Sequence, residues 1–144
     1  MKNIIRGWLG FLNPLKTKTV LVIDDSELDR TFAARVLARR YHVLLAGGAK
    51  EGLEVALKAR PDLILLDYMM PEMSGPEVCR ILKQDYGMHE TPVVFLTSMD
   101  TPRTVIEGLE QGAEAYLIKP IGSRDLLEEV HLRLQPMVAL RKDS

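Results

Sequence analysis

Residues 63–71 have the sequence LILLDYMMP, and the first four of them form an apolar run without a polar break. Proline, aspartate and glycine flank the run on both sides. A short apolar run between such turn-forming residues is typical of a strand buried on both faces, as in a parallel sheet. Asp67 would then lie at the carboxyl end of the strand, which is the edge where ligands bind in open α/β folds. Asp67 is therefore the first candidate for a chemical role.

The bulk properties are those of an ordinary soluble globular protein of one domain. The chain has 144 residues, of which 47% are hydrophobic and 27% charged, and this length can bury a substantial core. The net charge of −1 gives no general attraction to nucleic acid. A single cysteine, Cys79, excludes an internal disulfide, which fits a reducing compartment. No apolar stretch is long enough to span a bilayer. We expect a cytoplasmic protein without a nucleic-acid partner.

Residues 1–18 differ in charge from the rest of the chain. They carry four basic residues and no acid, whereas the remainder has a net charge of −5. Ile4, Trp8 and Leu12 are spaced one turn apart, which predicts a short amphipathic helix. Such a basic extension fits a membrane surface or a docking partner, or it packs on the body or frays. We favour contact with protein over contact with lipid; deletion of the segment, followed by measurement of oligomeric state and liposome binding, separates these cases.

Strand and helix patterns alternate along the chain. The predicted strands are Thr19–Ile23, His42–Ala46, Leu63–Asp67, Pro92–Thr97 and Ala115–Ile118. A helical pattern follows each of them, and five strands alternating with five helices predict a parallel sheet with helices on both faces.

Two of these helices carry specific local predictions. In the first, Ser26 is the expected N-cap, and the apolar spacing predicts an inner face of Leu28, Phe32, Val36 and Leu37. In the last, Ser123 is the expected N-cap.

The predicted strands end on residues that carry chemistry: Asp24 and Asp25, Asp67, Thr97 and Lys119. Because the carboxyl ends of parallel strands share one edge, we expect these side chains to meet there. Three adjacent carboxylates repel one another unless a cation intervenes. Carboxylates with a backbone carbonyl and water are the ligands that Mg²⁺ accepts. The residues thus predict a magnesium site.

An aspartate beside Mg²⁺, a lysine and a hydroxyl can act as a nucleophile toward phosphorus. The product would be an aspartyl phosphate on Asp67. Mg²⁺ and Lys119 would neutralise the charge on the moving phosphoryl group.

With these motifs in place, the chain resembles a two-component response-regulator receiver domain of the single-domain, chemotaxis-type kind. The resemblance covers residues 19–136, with 137–144 as a tail. The motifs that carry it are Asp24-Asp25, Asp67-x-x-Met70-Pro71-x-x-x-Gly75, Thr97 and Tyr116-x-x-Lys119-Pro120. It implies a flavodoxin-like, doubly wound sheet of five parallel strands in the order 2-1-3-4-5 with five helices.

The resemblance also implies roles in phosphorylation. Asp67 would accept a phosphoryl group from a histidine kinase or a histidine phosphotransfer protein. Asp24, Asp25 and Asp67 would bind Mg²⁺ together with the backbone carbonyl of Met69. Lys119 would contact the phosphoryl group.

Other residues would form the phosphoryl pocket and the switch. Ser98 and Pro120 would line the pocket, and the Lys119–Pro120 peptide bond would be cis. Thr97 would move to bond the phosphate while Tyr116 turns inward behind it. The face of the fourth helix, fifth strand and fifth helix would then bind a partner protein or a second copy of the chain.

Two methionines suggest a long-lived phosphoryl group. Met69 and Met99 lie two residues beyond Asp67 and Thr97 and flank the site. Neither side chain can orient a hydrolytic water as an amide or an acid can. We therefore expect slow self-dephosphorylation, and faster loss of phosphate after Met69→Asn.

Two other functions compete with the switch. One is a scaffold of receiver fold that acts without phosphorylation, which fold alone does not exclude. The other is a phosphohydrolase with an aspartate nucleophile; haloacid-dehalogenase-like enzymes carry a second aspartate two residues later, where this chain has Met69. The few residues after the fifth helix are too short for an output domain, so we expect output through protein contact or phosphorelay rather than enzymatic turnover.

Overall fold

The computed structural model describes residues 18–135. The helix predicted within residues 1–12 and the tail at 137–144 lie outside the described residues, and their roles stay predictions. No helix in the described range is both long and apolar enough to cross a membrane.

Strands and helices alternate as the sequence predicts. The strands are β1 (Thr19–Ile23), β2 (His42–Ala46), β3 (Leu63–Leu66), β4 (Val93–Thr97) and β5 (Ala115–Ile118). The helices are α1 (Glu27–Leu37), α2 (Ala49–Ala59), α3 (Gly75–Arg80, continued by a π-helical segment Ile81–Asp85), α4 (Pro102–Glu110) and α5 (Ser123–Leu134).

The five strands form one parallel sheet in the order β2-β1-β3-β4-β5. This confirms the predicted doubly wound, flavodoxin-like fold. In the central pairing, Ile23 of β1 lies beside Leu66 of β3, so that the residues following them, Asp24 and Asp67, leave the sheet at the same level. The order of the strands therefore places both carboxylates at the middle of the carboxyl edge.

The core has one layer on each face of the sheet. In β1, Leu21 and Ile23 point to one face and Val20 and Val22 to the other, as the two-residue period of a strand requires. Apolar residues of α2 and α3 cover the first face, and those of α1 and α5 cover the second. All four side chains of β3 are buried, because this strand has helices on both sides.

The inner face predicted for the first helix is partly wrong. Val36 and Leu37 are buried with Ala33, but Leu28 is 80% exposed and Phe32 is 40% exposed. The core-facing stripe is centred on the later turns of α1, whereas Leu28 lies in the first turn and lines an open cleft beside the carboxyl edge. The apolar spacing alone does not show where the sheet beneath the helix ends.

The structure confirms one predicted helix cap, corrects another and adds a π-helical segment. Ser26 caps α1, as predicted, by accepting a hydrogen bond from the Asp29 amide at 3.3 Å. Ser123, in contrast, is the first residue of α5, and Gly122 is its N-cap. The π-helical continuation of α3 was not predicted, because its sequence shows no proline or glycine break.

Candidate functional site

Backbone hydrogen bonds at the strand ends hold the candidate residues in position. The Asp24 amide donates to the Ala46 carbonyl at 3.1 Å, and the Asp67 amide donates to the Ile23 carbonyl at 3.0 Å. On the other side, the Lys119 amide donates to the Thr97 carbonyl at 2.9 Å. These bonds extend the parallel pairing by one residue beyond the strand ends, so each candidate residue is hydrogen-bonded through its backbone to the neighbouring strand.

The predicted carboxylates converge. Oxygen atoms of Asp24, Asp25 and Asp67 all lie within 4.8 Å of one another. Asp24 is only 4% exposed and Asp67 only 9%, whereas Asp25 is open to solvent. Two buried carboxylates and one exposed carboxylate therefore form an acidic pocket with one side facing water.

Asp67 is electrostatically unusual. Burial is the main reason why its pKa rises from 3.8 to about 6, and the neighbouring charge of Asp24 raises it further. The nearby Thr97 hydroxyl and the charge of Lys119 oppose this rise. One Asp67 oxygen, Oδ1, also accepts a hydrogen bond from the Tyr68 amide at 2.8 Å. A cation beside Asp67 would lower this pKa, because a nearby positive charge favours the charged form of a carboxylate.

Lys119 supplies the positive charge on the other side of the pocket. Its Nζ donates to Asp24 Oδ2 at 2.7 Å and to Asp29 Oδ2 at 2.9 Å, and it lies 4.0 Å from Asp67 Oδ2. Burial lowers the pKa of Lys119, but its bonds to Asp24 and Asp29 more than offset this effect and leave the pKa raised. The Lys119 side chain is therefore positively charged.

The donor set fits Mg²⁺. Three carboxylates within reach of one ion, one of them solvent-exposed, match the oxygen ligands and retained waters that Mg²⁺ prefers. Asp24, Asp25 and Asp67 would hold the ion. Met69 follows Asp67 at the predicted spacing, and its side chain is 58% exposed; the part assigned to its carbonyl stays a prediction.

The remaining predicted site residues lie around this pocket. Thr97 is 1% exposed, and its hydroxyl accepts a hydrogen bond from the Met99 amide at 3.3 Å. Ser98 and Pro120 line the adjoining cleft with Lys119. The Lys119–Pro120 peptide bond is cis, as predicted.

Tyr116 is a partly buried aromatic residue on β5. Its ring packs against Phe95, with centroids 5.5 Å apart, and its centroid lies 6.4 Å from that of Tyr68. Its hydroxyl donates to the Met99 carbonyl. The side chain thus contacts the loop between Thr97 and α4, although its part in a switch stays a prediction.

The sequence analysis missed one residue at this site, Asp29. Asp29 lies in the first turn of α1, three residues after the Ser26 cap. The available signal was its position: the first turn of a helix that directly follows Asp24 and Asp25 must lie at the same edge of the sheet. The contact with Lys119, which is 90 residues away in the chain, could not be deduced from spacing.

The fold and the site together define a class of protein: a flavodoxin-like α/β protein with an acidic pocket, a lysine and a threonine at the carboxyl edge of its sheet. Residues 20–131 match the family model described as the response regulator receiver domain. The chain belongs to this family, whose members are signalling domains of two-component systems.

Individual relatives of the chain include a protein named as a response regulator. The chain is 37% identical over 124 residues to a probable cyclic di-GMP phosphodiesterase of Vibrio cholerae serotype O1. It is 32% identical over 124 residues to the DNA-binding response regulator MtrA of Mycobacterium tuberculosis. Each match covers 86% of this chain but only 28% and 53% of the relative, so the chain spans about half or less of these proteins.

A solved structure covers the same region. The chemotaxis protein CheY4 of Vibrio cholerae superposes with a TM-score of 0.78 at 33% identity, over 82% of this chain and 99% of that one. The likeness therefore extends over the whole of a chemotaxis-type receiver domain.

Proposed function

We propose that this chain is a phosphorylation switch of two-component signalling, with Asp67 as the residue that accepts the phosphoryl group. The observation that carries the proposal is the pocket itself. A buried aspartate lies within reach of two further carboxylates, one fixed ammonium and one buried hydroxyl. A structural role needs no such concentration of charge at one edge of a sheet.

The proposed step is an in-line transfer from a phosphohistidine. One Asp67 oxygen forms a bond to phosphorus while the bond from phosphorus to the histidine nitrogen breaks. The electron pair of that bond stays on the imidazole, which takes a proton from water. Mg²⁺ held by Asp24, Asp25 and Asp67 would supply positive charge against the phosphoryl oxygens. Lys119 donates an N–H to one phosphoryl oxygen, and the Thr97 hydroxyl turns to donate to a second.

The switch would act through the link from Thr97 to Tyr116. Both side chains contact Met99, one through its amide and the other through its carbonyl. Movement of Thr97 toward a phosphoryl group would therefore disturb the loop that Tyr116 also contacts. This loop leads into α4.

Output would use the surface of α4, β5 and α5. Ile106 and Leu109 on α4 are 55% and 43% exposed, and Ile118 on β5 is 38% exposed. Apolar side chains next to a moving loop suit binding of a partner protein, or of a second copy, that depends on phosphorylation. Light scattering of the protein with and without a phosphoryl donor distinguishes these partners, since only self-association raises the mass of the purified protein.

The phosphoacceptor is tested by intact-protein mass spectrometry. The protein is incubated with Mg²⁺ and acetyl phosphate, beside the variants Asp67→Asn and Asp85→Asn. Asp85 is a matched control, because it is an exposed aspartate on α3 that pairs only loosely with Arg80, at 3.7 Å. We expect one added phosphoryl group in the parent and in Asp85→Asn, none in Asp67→Asn, and none in any sample with a chelator.

Other results would favour the competing functions. No added mass in the parent would favour a phosphorylation-independent scaffold. Release of inorganic phosphate over many turnovers, without accumulation of the modified protein, would favour a phosphohydrolase.

A further inference from the structure

Lys119 is bound more closely to the α1 side of the pocket than to Asp67. Its Nζ lies 2.7 Å from Asp24 and 2.9 Å from Asp29, but 4.0 Å from Asp67. A lysine ammonium has three N–H donors. Two of them are used by these carboxylates, and the distance to Asp67 is too long for a hydrogen bond.

Asp29 reaches Lys119 because of where α1 begins. Ser26 caps the helix, and Asp29 falls in its first turn, at the rim of the cleft of about 530 Å³ that Lys119 also lines. The Asp29 side chain is 43% exposed, whereas that of Asp24 is 6% exposed. Asp24 is thus a buried and fixed partner of the lysine, while Asp29 is a solvated one that can release it.

We propose that Asp29 is a positioning residue that competes with the phosphoryl group for Lys119 and so restrains phosphorylation of Asp67. The inference rests on the proposed function. For Lys119 to donate to a phosphoryl oxygen on Asp67, its ammonium must move toward Asp67, and the charge-assisted bond to Asp29 holds it back. Asp29 also adds a fourth negative charge at a site that receives an anionic group.

The test compares four substitutions of two neighbouring acids. Asp29→Asn and Asp29→Ala remove the carboxylate that binds Lys119, and Asp29→Glu keeps one. Glu27→Gln is the matched control: Glu27 is an exposed acid in the same first turn of α1, and it has no ion pair in the described structure. It removes the same charge from the helix terminus without freeing the lysine.

The quantity measured is the rate constant of phosphorylation by acetyl phosphate at saturating Mg²⁺. We expect Asp29→Asn and Asp29→Ala to raise it about three- to fivefold, the range that a solvated ion pair can supply. Asp29→Glu should stay near the parent rate, as rescue by a conservative replacement requires. Glu27→Gln should change the rate less than about twofold.

A second measurement isolates the role of the lysine. In a Lys119→Ala background, Asp29→Asn should lose its accelerating effect, because the two residues act through one contact. Affinity for beryllofluoride, followed by fluorine NMR, adds a readout without turnover. It should be higher in Asp29→Asn than in the parent and unchanged in Glu27→Gln.

Several results would overturn the inference. These are a parent-like or slower rate in Asp29→Asn, an equal acceleration in Glu27→Gln, or an acceleration that persists without Lys119. If the parent takes up phosphate and Asp29→Asn behaves like it, only this inference fails. If the parent takes up none, the proposed function fails and the inference fails with it.

Discussion

At the scale of single residues, Asp67 has an unusual charge balance. Its carboxylate is buried, with one carboxylate neighbour that raises its pKa and one ammonium that is 4.0 Å away. The folded protein without metal therefore binds a proton at Asp67 more tightly than the unfolded chain does. This difference links the stability of the protein to pH and to cation binding.

The first prediction concerns stability of the metal-free protein. The pKa of Asp67 is about 6 in the folded state, against an ordinary value of 3.8. The stabilisation that proton binding at Asp67 gives to the folded state is fully present below pH 4, and it is lost as the pH rises through 6. At pH 7 we therefore expect Asp67→Asn to be more stable than the parent, by up to about 3 kcal/mol. The difference should shrink between pH 6 and pH 4.

Urea denaturation in the presence of a chelator, at intervals from pH 4 to pH 8, measures this difference. Addition of Mg²⁺ at pH 7 should stabilise the parent more than the variant, because ligand binding to the folded state adds to its stability. A gap between parent and variant that is constant with pH, or largest at pH 4, would contradict the prediction.

The second prediction concerns the lifetime of the phosphoryl group. Met69 is 58% exposed beside Asp67 and has no group that can orient an attacking water. Met69→Asn should therefore speed loss of phosphate, by about threefold or more. The rate is measured as the decay of the phosphorylated mass after removal of the donor. Leu57→Asn is the control, since Leu57 is a similarly exposed apolar residue, on α2; an unchanged decay in Met69→Asn would refute this explanation.

At the scale of elements, the first turn of α3 is packed directly on the backbone that carries Asp67. The Gly75 amide donates to the Tyr68 carbonyl at 2.5 Å. A Cβ on Gly75 would collide with the Asp67 carbonyl oxygen and would lie 2.6 Å from a ring atom of Phe95. Glycine is needed here for close approach between a helix and a strand end, and this approach helps to fix the loop after β3.

The third prediction follows from this contact. Gly75→Ala should lower the free energy of unfolding by about 2–3 kcal/mol, because the neighbouring backbone must shift. It should also reduce phosphorylation, since the shift displaces Asp67. Gly122→Ala is the control: a Cβ there would meet no atom within 4 Å, and a loss well below 1 kcal/mol is expected. Equal effects of the two substitutions in chemical denaturation would count against a packing role for Gly75.

At the scale of the whole molecule, the carboxyl edge and the amino edge of the sheet carry different clusters of charged residues. The carboxyl edge holds the acidic pocket, and the amino edge holds a partly buried ion pair between Lys83 and Glu114. Lys83 Nζ donates to Glu114 at 2.5 Å and to the Thr91 carbonyl at 2.5 Å, and the Val93 amide donates to Glu114 at 3.1 Å. This network joins the end of α3 to the starts of β4 and β5.

The fourth prediction separates stability from function. Glu114→Ala leaves the Lys83 ammonium, which is 8% exposed, without its counter-charge. We expect a loss of about 2–4 kcal/mol, because Glu114 is partly solvated and the loss should not exceed that of a fully buried pair. Glu77→Ala, which breaks an exposed pair with Arg80, should cost much less, because water screens the attraction between exposed charges.

Both variants should still take up one phosphoryl group at a temperature where they are folded. Glu114 lies at the opposite edge of the sheet from Asp67, and the Glu77 side chain is exposed and paired with Arg80. Denaturation curves and phosphorylated mass, measured on the same samples, provide the comparison. A loss of phosphorylation in folded Glu114→Ala would show that the two edges are coupled.

The local sequence was sufficient for the architecture and most of the pocket. Apolar runs that end in Asp24, Asp67, Thr97 and Lys119 mark both the strands and the edge where they finish. Once the strands are parallel, these residues must share that edge, whatever the details of packing. The cis bond before Pro120 was predicted from the resemblance of its motif.

The tertiary structure was needed for every contact that depends on the distance between two neighbouring elements. Leu28 and Phe32 have helical spacing but are exposed, because the first turn of α1 lies beside an open cleft at the sheet edge. The contact between Asp29 and Lys119 depends on how closely α1 lies to the end of β5. Sequence periodicity reports which side chains share a face of one element, but it carries no information on what lies opposite that face. Three-dimensional packing alone sets that distance, and here it determines which carboxylates bind Lys119.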